Sequence, residues 1–334
     1  MKARQIPQND IDQKSKAYQS GMAEMAEILR KALSNAVTEV KTSILSLLST
    51  YAYKEGMSHA EARIWLSIPA DQRVTSQLIE RARQLGREDL ATDISRKAYA
   101  FRYSREESML AVLTIAQEHT ASLLAKRLRP TIESTILEAH GRAVFEFSKA
   151  VNVGFNFSKI PQERINDILR SELSHTRTMR HIDGILKQVK TELITGIILG
   201  KNSRAIGNAI QSTTGTAKWR ARAIARTTLT EVSKESETRV MRELGVKRYR
   251  YRATLDERTC PVCGRMDGKT YNLDEEKAGV NSPPMHMNCR CTVSVVVSEE
   301  VRKNATRVAR NREGRNVRVP ATMTYEEWKR EFID

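Results

Sequence analysis

All four cysteines of this 334-residue chain lie between positions 260 and 291. Cysteines that serve only in packing would be scattered along the chain, so this clustering indicates a shared role. With one histidine they form the pattern C-x2-C-x22-H-x2-C-x-C, whose members are Cys260, Cys263, His286, Cys289 and Cys291. This spacing indicates a compact module near the C-terminus and is typical of a zinc site.

The first half of the pattern, Cys260-Pro261-Val262-Cys263-Gly264, is suited to holding thiolates. Proline fixes one φ angle and glycine permits a tight exit, so successive backbone N–H groups can point at the sulfur atoms. Thiolates and a neutral imidazole prefer Zn²⁺, which takes a closed tetrahedral shell in structural sites. Such an ion contributes on the order of 10 kcal/mol to folding. We therefore expect one structural Zn²⁺ in a segment that has little core of its own.

Five candidate ligands compete for the four places of a tetrahedral shell. Cys260 and Cys263 are expected ligands, His286 and Cys289 are the next choice, and Cys291 is then left over. Cys291 in place of Cys289 remains an alternative. A further alternative is that reduced, buried cysteines and a hydrogen-bonded histidine hold no metal. A catalytic zinc would need an open position and a nearby base, so five candidates favour a filled structural shell.

The composition favours helices, because aromatic residues make up 5% of the chain and charged residues 29%. Apolar residues at three- and four-residue steps predict one long helix over residues 11–53 and another after Ser104. Ser58 and Ser104 each begin a capping-box pattern, and Pro130 is expected to kink or break the second long helix. We therefore predict a mainly α fold, in which a long-helix N-terminal region precedes a small α+β module with a Cys/His zinc site.

Several residues predict the ends of shorter helices. Pro161 suits a first turn, and Ser203 and Thr216 are candidate N-caps. Gly245 stands where a helix C-terminus favours glycine. Thr324 begins a capping-box pattern before a final short helix.

Four regions are predicted along the chain: an elongated helical region (1–150), a helical region leading into the module (151–245), the Cys/His-rich α+β module (246–298), and a basic linker with a C-terminal helix (299–334). Residues 150–158 are expected to form a loop. In the module, alternating Arg and Tyr over 248–252 and the apolar run 291–297 predict two strands. Residues 302–318 hold seven Lys or Arg against one Glu, which predicts a loose basic linker.

The formal net charge is +16. A surface of this kind attracts polyanions, so it indicates contact with DNA or with an acidic protein, while a merely solvated basic surface is the alternative. No apolar segment resembles a signal peptide or reaches the roughly 18 residues needed to span a bilayer. We therefore expect no membrane contact and a reducing cytosol, where clustered cysteines favour metal over disulfides.

Other catalytic patterns are absent from the sequence, which has no H-E-x-x-H, P-loop or G-x-G-x-x-G motif. A zinc nuclease usually needs two or more histidines near its metal, and the module offers one, so we expect no enzymatic activity. Asp256 is expected to accept turn N–H groups or to end the first strand. Arg222 and Arg226 are one helical turn apart and could bind a phosphate or a carboxylate. The alternatives are an exposed helix face or a clamp of their helix onto the module.

The module resembles the phage Mu protein F-like head-morphogenesis family. The resemblance covers roughly residues 160–334, departs from the family at Met285 and Met287, and depends most on the cysteine spacing. The similar runs are 199–206 (LGKNSRAI), 222–227 (RAIART), 254–263 (TLDERTCPVC), 266–269 (MDGK), 283–292 (PPMHMNCRCT) and 324–328 (TYEEW).

The resemblance implies a minor capsid protein, made in the host cytoplasm and then incorporated into the virion. It implies a place in the capsid interior near the portal, a role in procapsid assembly, and DNA packaging or ejection. The implied partners are the portal protein, the scaffold or major capsid protein, and packaged double-stranded DNA. The alternative is a zinc-containing basic DNA-binding adaptor or nuclease outside the virion.

Overall fold

The computed structural model describes residues 8–151, 160–175, 177–213, 217–296, 298 and 302–333. Most of these residues are helical, and the strands lie in the C-terminal part of the chain. The helices are α1 (Gln8–Thr50), α2 (His59–Ser67), α3 (Gln72–Gln84), α4 (Glu88–Tyr99), α5 (Arg105–Val151), α6 (Gln162–His175), α7 (Arg177–Ile198), α8 (Ser203–Ser212), α9 (Ala217–Glu243), α10 (Pro261–Met266) and α11 (Tyr325–Phe332). The strands are β1 (Arg248–Arg252), β2 (Thr270–Asn272), β3 (Thr292–Val295), β4 (Thr306–Arg310) and β5 (Asn316–Pro320).

The chain divides into two compact units, each built from separate stretches of sequence. One unit comprises residues 1–25, 129–176 and 222–334, and the other comprises 26–128 and 177–221. The four consecutive regions predicted from the sequence describe the order of elements along the chain, and their boundaries stay a prediction. Among the described residues, no helix combines the length and apolarity needed to cross a bilayer.

The long N-terminal helices follow the predicted apolar periodicity. In α1 the residues at three- and four-residue steps are buried, among them Leu29, Val40 and Ile44, as expected for a helix with one apolar face. Ser58 and Glu61 form the predicted capping box. Ser104 is bonded reciprocally to Glu107 in the same arrangement.

Pro130 was predicted to kink or break α5, and the break is wrong. The helix continues from Arg105 to Val151 with Pro130 inside it. Proline costs the helix one N–H bond, but Leu128 and Ile132 on either side are almost fully buried. The apolar burial of these neighbouring turns outweighs one lost bond.

The N-cap of α8 lies one residue before the predicted position. Asn202 accepts the Ala205 N–H through its side chain, at 2.8 Å, so Ser203 is the first helical residue rather than the cap. Both residue types are good caps, and asparagine is at least as favourable as serine. The predicted cap at Thr216 and the predicted loop at 150–158 (apart from its first two positions) lie outside the described residues.

The predicted strand at 248–252 is confirmed as the central strand of a three-stranded antiparallel sheet, in the order β2-β1-β3. Tyr249 lies opposite Tyr271 of β2 and Val295 of β3. Tyr249 and Tyr251 are fully buried, while the arginines that alternate with them are more exposed. Alternation over five residues thus places two aromatic rings in the core of the module.

The basic segment after the sheet is not a loose linker, and the expectation for 302–318 is wrong. Strands β4 and β5 form an antiparallel hairpin over 306–320. Ala309 and Val319 pack with Leu255, Tyr325 and Trp328 in a small core. The basic composition led to the wrong prediction because one of the arginines, Arg307, is itself buried against a carboxylate.

Candidate metal centre

The first two thiols lie at the N-terminus of a single helical turn. Cys260 is the N-cap of α10, and its Sγ accepts the Cys263 N–H at 3.4 Å. Pro261 occupies the first helical position, where a missing N–H costs nothing. The sequence Cys-Pro-Val-Cys therefore folds as predicted, with the backbone turned toward the sulfur atom of Cys260.

The other three donors lie in the segment that enters β3. Cys289 and Cys291 are buried, whereas His286 is exposed at the edge of the cluster. The backbone of Asn288 has a positive φ of 67°, a conformation that asparagine tolerates better than most residues. This turn brings the histidine and the second pair of cysteines to the same side of the chain.

The five predicted residues come together as two overlapping groups. Donor atoms of Cys260, Cys263 and His286 all lie within 4.8 Å of one another, and so do those of Cys263, Cys289 and Cys291. Cys263 belongs to both groups. All four cysteines are free thiols. The cluster exists; which of its members would hold an ion stays a prediction.

Three of the separations between donors are close to those of a tetrahedral zinc site, and each group of mutually close donors has three members. With Zn–S near 2.3 Å and Zn–N near 2.0–2.1 Å, two sulfurs should lie about 3.8 Å apart and a sulfur and a nitrogen about 3.6 Å apart. His286 Nε2 lies 3.2 Å from Cys260 Sγ and 3.4 Å from Cys263 Sγ. Cys263 Sγ lies 4.0 Å from Cys289 Sγ. These three separations are within about half an ångström of the tetrahedral values.

The imidazole of His286 is oriented for metal binding. Its Nδ1 lies 2.8 Å from the carbonyl oxygen of Met287. A carbonyl oxygen only accepts, so Nδ1 carries the proton and donates it. Nε2 faces the two thiols of α10, and in the neutral imidazole it carries the lone pair that could bind a metal. Metal-bound histidines are commonly fixed in this way by their second nitrogen.

Hydrogen bonds within the cluster favour the thiolate form of some cysteines. Burial opposes ionisation of Cys260, but the Cys263 N–H and thiol and the His286 side chain outweigh it and lower the pKa of Cys260. Hydrogen bonding from Cys263 and Cys291 lowers the pKa of Cys289, and the pKa of Cys263 rises accordingly. Thiolates are the form that binds metal. A cation placed among the buried sulfurs would relieve their mutual repulsion.

Helix α9 supports the turn that carries His286 and Cys289. Arg226 donates to the side-chain oxygen of Asn288 at 2.6 Å. The Asn288 N–H donates to Thr227 Oγ1 at 2.8 Å, and Thr230 Oγ1 donates to the Cys289 carbonyl at 3.1 Å. Of the alternatives for Arg226, the structure shows the one in which it clamps its helix onto the module.

Asp256 accepts a turn N–H, as predicted, and also holds a buried ion pair. Its Oδ1 accepts the Arg258 N–H at 3.1 Å and an Arg290 N–H at 2.6 Å. Burial raises the pKa of Asp256, but pairing with Arg290 outweighs it, so the pKa lies below its usual value. Arg290 lies between Cys289 and Cys291, so this pair fixes the backbone of the second cysteine group.

Sequence reasoning missed a second buried pair, between Asp267 and Arg307. The two side chains meet through two hydrogen bonds, at 2.8 and 3.1 Å. Asp267 also accepts the backbone N–H groups of Ala253 and Tyr325. The available signal was the alternation at 306–310 and 316–320 around Gly314, which is typical of a hairpin.

The comparison with protein families bears directly on this module. Residues 187–294 match the family described as Phage Mu protein F like protein, and the match contains all five cluster residues. The chain carries a phage Mu F-like region. The resemblance predicted from the sequence is therefore confirmed. The Mu F-like region includes α8, α9, the three-stranded sheet and the candidate metal centre.

Three relatives of known sequence match the chain at low identity. An uncharacterized protein of Haemophilus influenzae is 24% identical over 43% of this chain and 32% of its own length. The NAD(+)--arginine ADP-ribosyltransferase EFV of Enterococcus faecalis is 25% identical over 48% of this chain and 37% of its own. Minor head protein GP7 of Bacillus phage SPP1 is 23% identical over 69% of this chain and 80% of its own.

The matches therefore cover about a third of the Haemophilus and Enterococcus proteins. The match with the SPP1 minor head protein covers most of that protein. No solved structure matches the chain.

Proposed function

We propose that this chain is a phage minor head protein that acts in procapsid assembly and in DNA packaging or ejection near the portal. The observation that carries the proposal is the combination of the Mu F-like region at 187–294 with the match to the SPP1 minor head protein. That match covers 80% of the relative, so it extends well beyond the cysteine module.

In this proposal the metal centre has a structural role. The donor set of thiols and one imidazole suits Zn²⁺, and the proposed ligands are Cys260, Cys263, His286 and either Cys289 or Cys291. The ion would join α10 to the segment before β3, two pieces of chain that share a small, mostly sulfur-lined core. Binding energy on the order of 10 kcal/mol would then stabilise the module as a whole.

We propose that the protein is not an enzyme. Each group of donors is composed of cysteines with at most one histidine, which favours a closed shell over one with an open position. The ADP-ribosyltransferase activity in the name of the Enterococcus relative belongs to a protein of which this chain matches 37%.

The proposed partners are the portal protein, the scaffold or major capsid protein, and packaged double-stranded DNA. The proposed location is the capsid interior near the portal, after synthesis in the host cytoplasm. A net charge of +16 suits a protein that lies close to packaged DNA, because phosphate contacts dominate the affinity of basic proteins for DNA.

The decisive test is whether the chain enters phage heads. Particles are purified from cells that produce the phage, and procapsids and DNA-filled heads are separated and probed for the chain by mass spectrometry. We expect it in both fractions at low copy number relative to the major capsid protein. Its absence from both fractions, with the chain abundant in the cell lysate, would contradict the proposal and favour a role outside the virion.

A variant series tests the part played by the metal centre. Cys260→Ser is expected to abolish incorporation, whereas Arg318→Gln, an exposed change on the neighbouring hairpin, should leave it intact. Elemental analysis of the purified wild-type protein should give one zinc per chain. Heads that contain Cys260→Ser at wild-type levels would show that the metal centre is dispensable for assembly.

A further inference from the structure

Two aromatic side chains at the end of α4 are exposed to solvent. Tyr99 is 90% exposed and Phe101 is 81% exposed, whereas Tyr103, two positions further on, is buried. Ala100 and Arg102 are also exposed, so residues 99–102 form an uncovered turn between α4 and α5. We call these four residues the aromatic tip. Single exposed apolar side chains are common on protein surfaces, but two large rings in one turn indicate a contact site.

The backbone of Phe101 adopts a conformation that is unfavourable for a residue with a side chain. Its φ is 55°, in the left-handed region where Cβ approaches the following carbonyl oxygen. The Phe101 N–H donates to the Ala98 carbonyl, and the Arg102 N–H donates to the Lys97 carbonyl. The same pair of bonds closes three other helices with a left-handed glycine: Gly86 after α3, Gly200 after α7 and Gly245 after α9. Ala52 after α1 is also left-handed, but it carries only a methyl group.

The folded chain does not compensate Phe101 for this conformation. A buried phenyl ring would offset backbone strain through the hydrophobic effect, but this ring is mostly exposed. Stability alone would therefore favour glycine at position 101. A strained residue without a compensating contact in its own chain is typical of a functional position.

The aromatic tip is attached to a firmly bonded segment. The Tyr103 carbonyl accepts the Ala70 N–H at 2.7 Å, and the Arg105 N–H donates to the Ile68 carbonyl at 2.9 Å. The Tyr103 hydroxyl donates to the Glu107 carbonyl at 3.1 Å. Rings that are held in place before binding lose little conformational entropy when a partner covers them.

The charges beside the aromatic tip decide between a nucleic acid and a protein as its partner. Arg96 and Lys97 both pair with Asp93, and Lys97 also pairs with Glu107. Within the described part of the chain, Arg102 forms no ion pair. One unpaired cation is too little for a DNA contact, in which several phosphates are neutralised. Two rings beside one guanidinium suit a protein surface with an apolar pocket and a carboxylate next to it.

The size of the aromatic tip indicates the centre of a larger interface. A tyrosine and a phenylalanine ring each bury about 150–250 Å², whereas each partner of a stable complex contributes roughly 800 Å². Aromatic and arginine side chains commonly carry most of the binding energy at the centre of such an interface. The tip would therefore be the anchor of the contact and not the whole of it.

We propose that the aromatic tip docks into another protein of the phage head, at an apolar pocket flanked by an aspartate or a glutamate. Tyr99 and Phe101 fill the pocket, and Arg102 pairs with the carboxylate. This inference rests on the proposed function and assigns one of its protein contacts to particular residues. A second copy of this chain is a poor partner, because a net charge of +16 opposes self-association.

Photocrosslinking in phage-producing cells tests the contact directly. Phe101 of the full-length chain is replaced by p-benzoylphenylalanine, and the control carries the same replacement at Leu199, an exposed residue at the end of α7. Heads are purified after irradiation, and crosslinked peptides are identified by mass spectrometry. We expect position 101 to crosslink to one site on another head protein, close to an aspartate or glutamate, and position 199 not to crosslink there.

A competition in the same cells measures how much the contact contributes. Wild type and a variant with Tyr99→Ala and Phe101→Gly are produced together, and their ratio in heads is compared with their ratio in the lysate. Loss of an interface anchor typically weakens binding about thirtyfold or more. We expect the double variant to be depleted in heads by at least about tenfold. Leu199→Ala, the control, should stay within about twofold of wild type.

Thermal unfolding separates docking from folding. Because Phe101→Gly relieves the left-handed strain, its melting temperature should equal that of wild type or exceed it by up to about 4 °C. A variant that is no less stable than wild type but is lost from heads would show that the ring serves a partner. A melting temperature several degrees below wild type would show that the ring is structural, and it would overturn the proposal.

Other outcomes would also overturn the assignment. Position 101 could crosslink to DNA or to a second copy of this chain, or no more than position 199 does. The double variant could enter heads as well as wild type. In all these cases wild type is present in heads, so the proposed function stands while the docking site is rejected. Absence of wild type from heads would contradict the proposed function itself and leave the tip without a head partner.

Discussion

Replacing Arg307 by methionine tests whether the C-terminal hairpin is an integral part of the Cys/His-rich module. Methionine keeps most of the apolar stem of arginine and removes its guanidinium. The change deletes two hydrogen bonds to Asp267 and those to the carbonyl oxygens of Ala253 and Met323. The Asp267 carboxylate would then remain buried without a cation.

The magnitude follows from the burial of the pair. The side chains of Arg307 and Asp267 are 7% and 1% exposed, and removing one partner of such a pair typically costs about 3–5 kcal/mol. Asp267 still accepts the N–H groups of Ala253 and Tyr325, at 2.8 and 2.9 Å, which partly compensate. We therefore expect a loss of about 3 kcal/mol, which makes local opening on the order of a hundredfold more frequent.

Hydrogen exchange followed by mass spectrometry measures this opening directly, because the amides that join β4 to β5 exchange when the hairpin detaches. The control is Arg318→Met, the same substitution at an exposed position of the same hairpin, where we expect less than about 0.5 kcal/mol. Adding Asp267→Asn to Arg307→Met should cost less than the sum of the two single changes, since the buried charge is then gone.

Two results would refute this reasoning. If hairpin amides exchange equally in Arg307→Met and Arg318→Met, the buried pair does not hold the hairpin on the module. If the double variant loses the full sum of the single effects, the two residues act independently, and the uncompensated carboxylate is not the source of the loss.

Three further predictions concern the metal centre and its support. Cys260→Ser should release zinc and unfold the module, seen as loss of metal in elemental analysis and a lower melting temperature; unchanged values would contradict it. Cys289→Ser and Cys291→Ser should differ in zinc affinity, because a four-place shell needs one of them; equal affinities in a chelator competition would argue otherwise. Asp256→Asn should cost on the order of 2–3 kcal/mol at neutral pH by leaving Arg290 unpaired. The pKa of Asp256 is lower in the folded protein than in the unfolded chain. The stability that the ion pair contributes is therefore fully present above the usual pKa of aspartate, and it is lost as the pH falls through the pKa of Asp256 in the folded protein. Urea unfolding of the wild-type protein and of Asp256→Asn at neutral and acid pH measures this contribution. If the difference in unfolding free energy between the two proteins does not shrink in acid, the ion pair is not its source.

The helices could be predicted from the sequence because their signals are local. The apolar stripe of α1 and the three capping boxes depend on residues three or four positions apart, and both kinds of pattern are observed. The break at Pro130 was wrongly predicted because the effect of a proline depends on tertiary burial on both sides of it. The sequence next to the proline does not show how deeply those turns are buried.

The candidate ligands could be named for a different reason. A thiol-rich cluster restricts which residues can belong to it, and the chain has no cysteine elsewhere. The pair formed by Asp267 and Arg307 has no comparable signal, because aspartate and arginine are common and forty positions separate the two. The hairpin that holds Arg307 was therefore interpreted as solvated charge, although its alternation was visible.

The last helix shows that the module extends past the end of the Mu F-like match at residue 294. Tyr325 of α11 donates its hydroxyl to the Thr259 carbonyl, beside Cys260, and its N–H to Asp267. Its ring packs against Gly264 of α10 so closely that a Cβ there would lie 2.5 Å from Tyr325 Cδ1. The close approach of α11 thus favours glycine at 264. A chain shortened after β3 would lose the ring that packs on α10 beside the first two cysteines, and we expect this side of the candidate metal centre to be less well held.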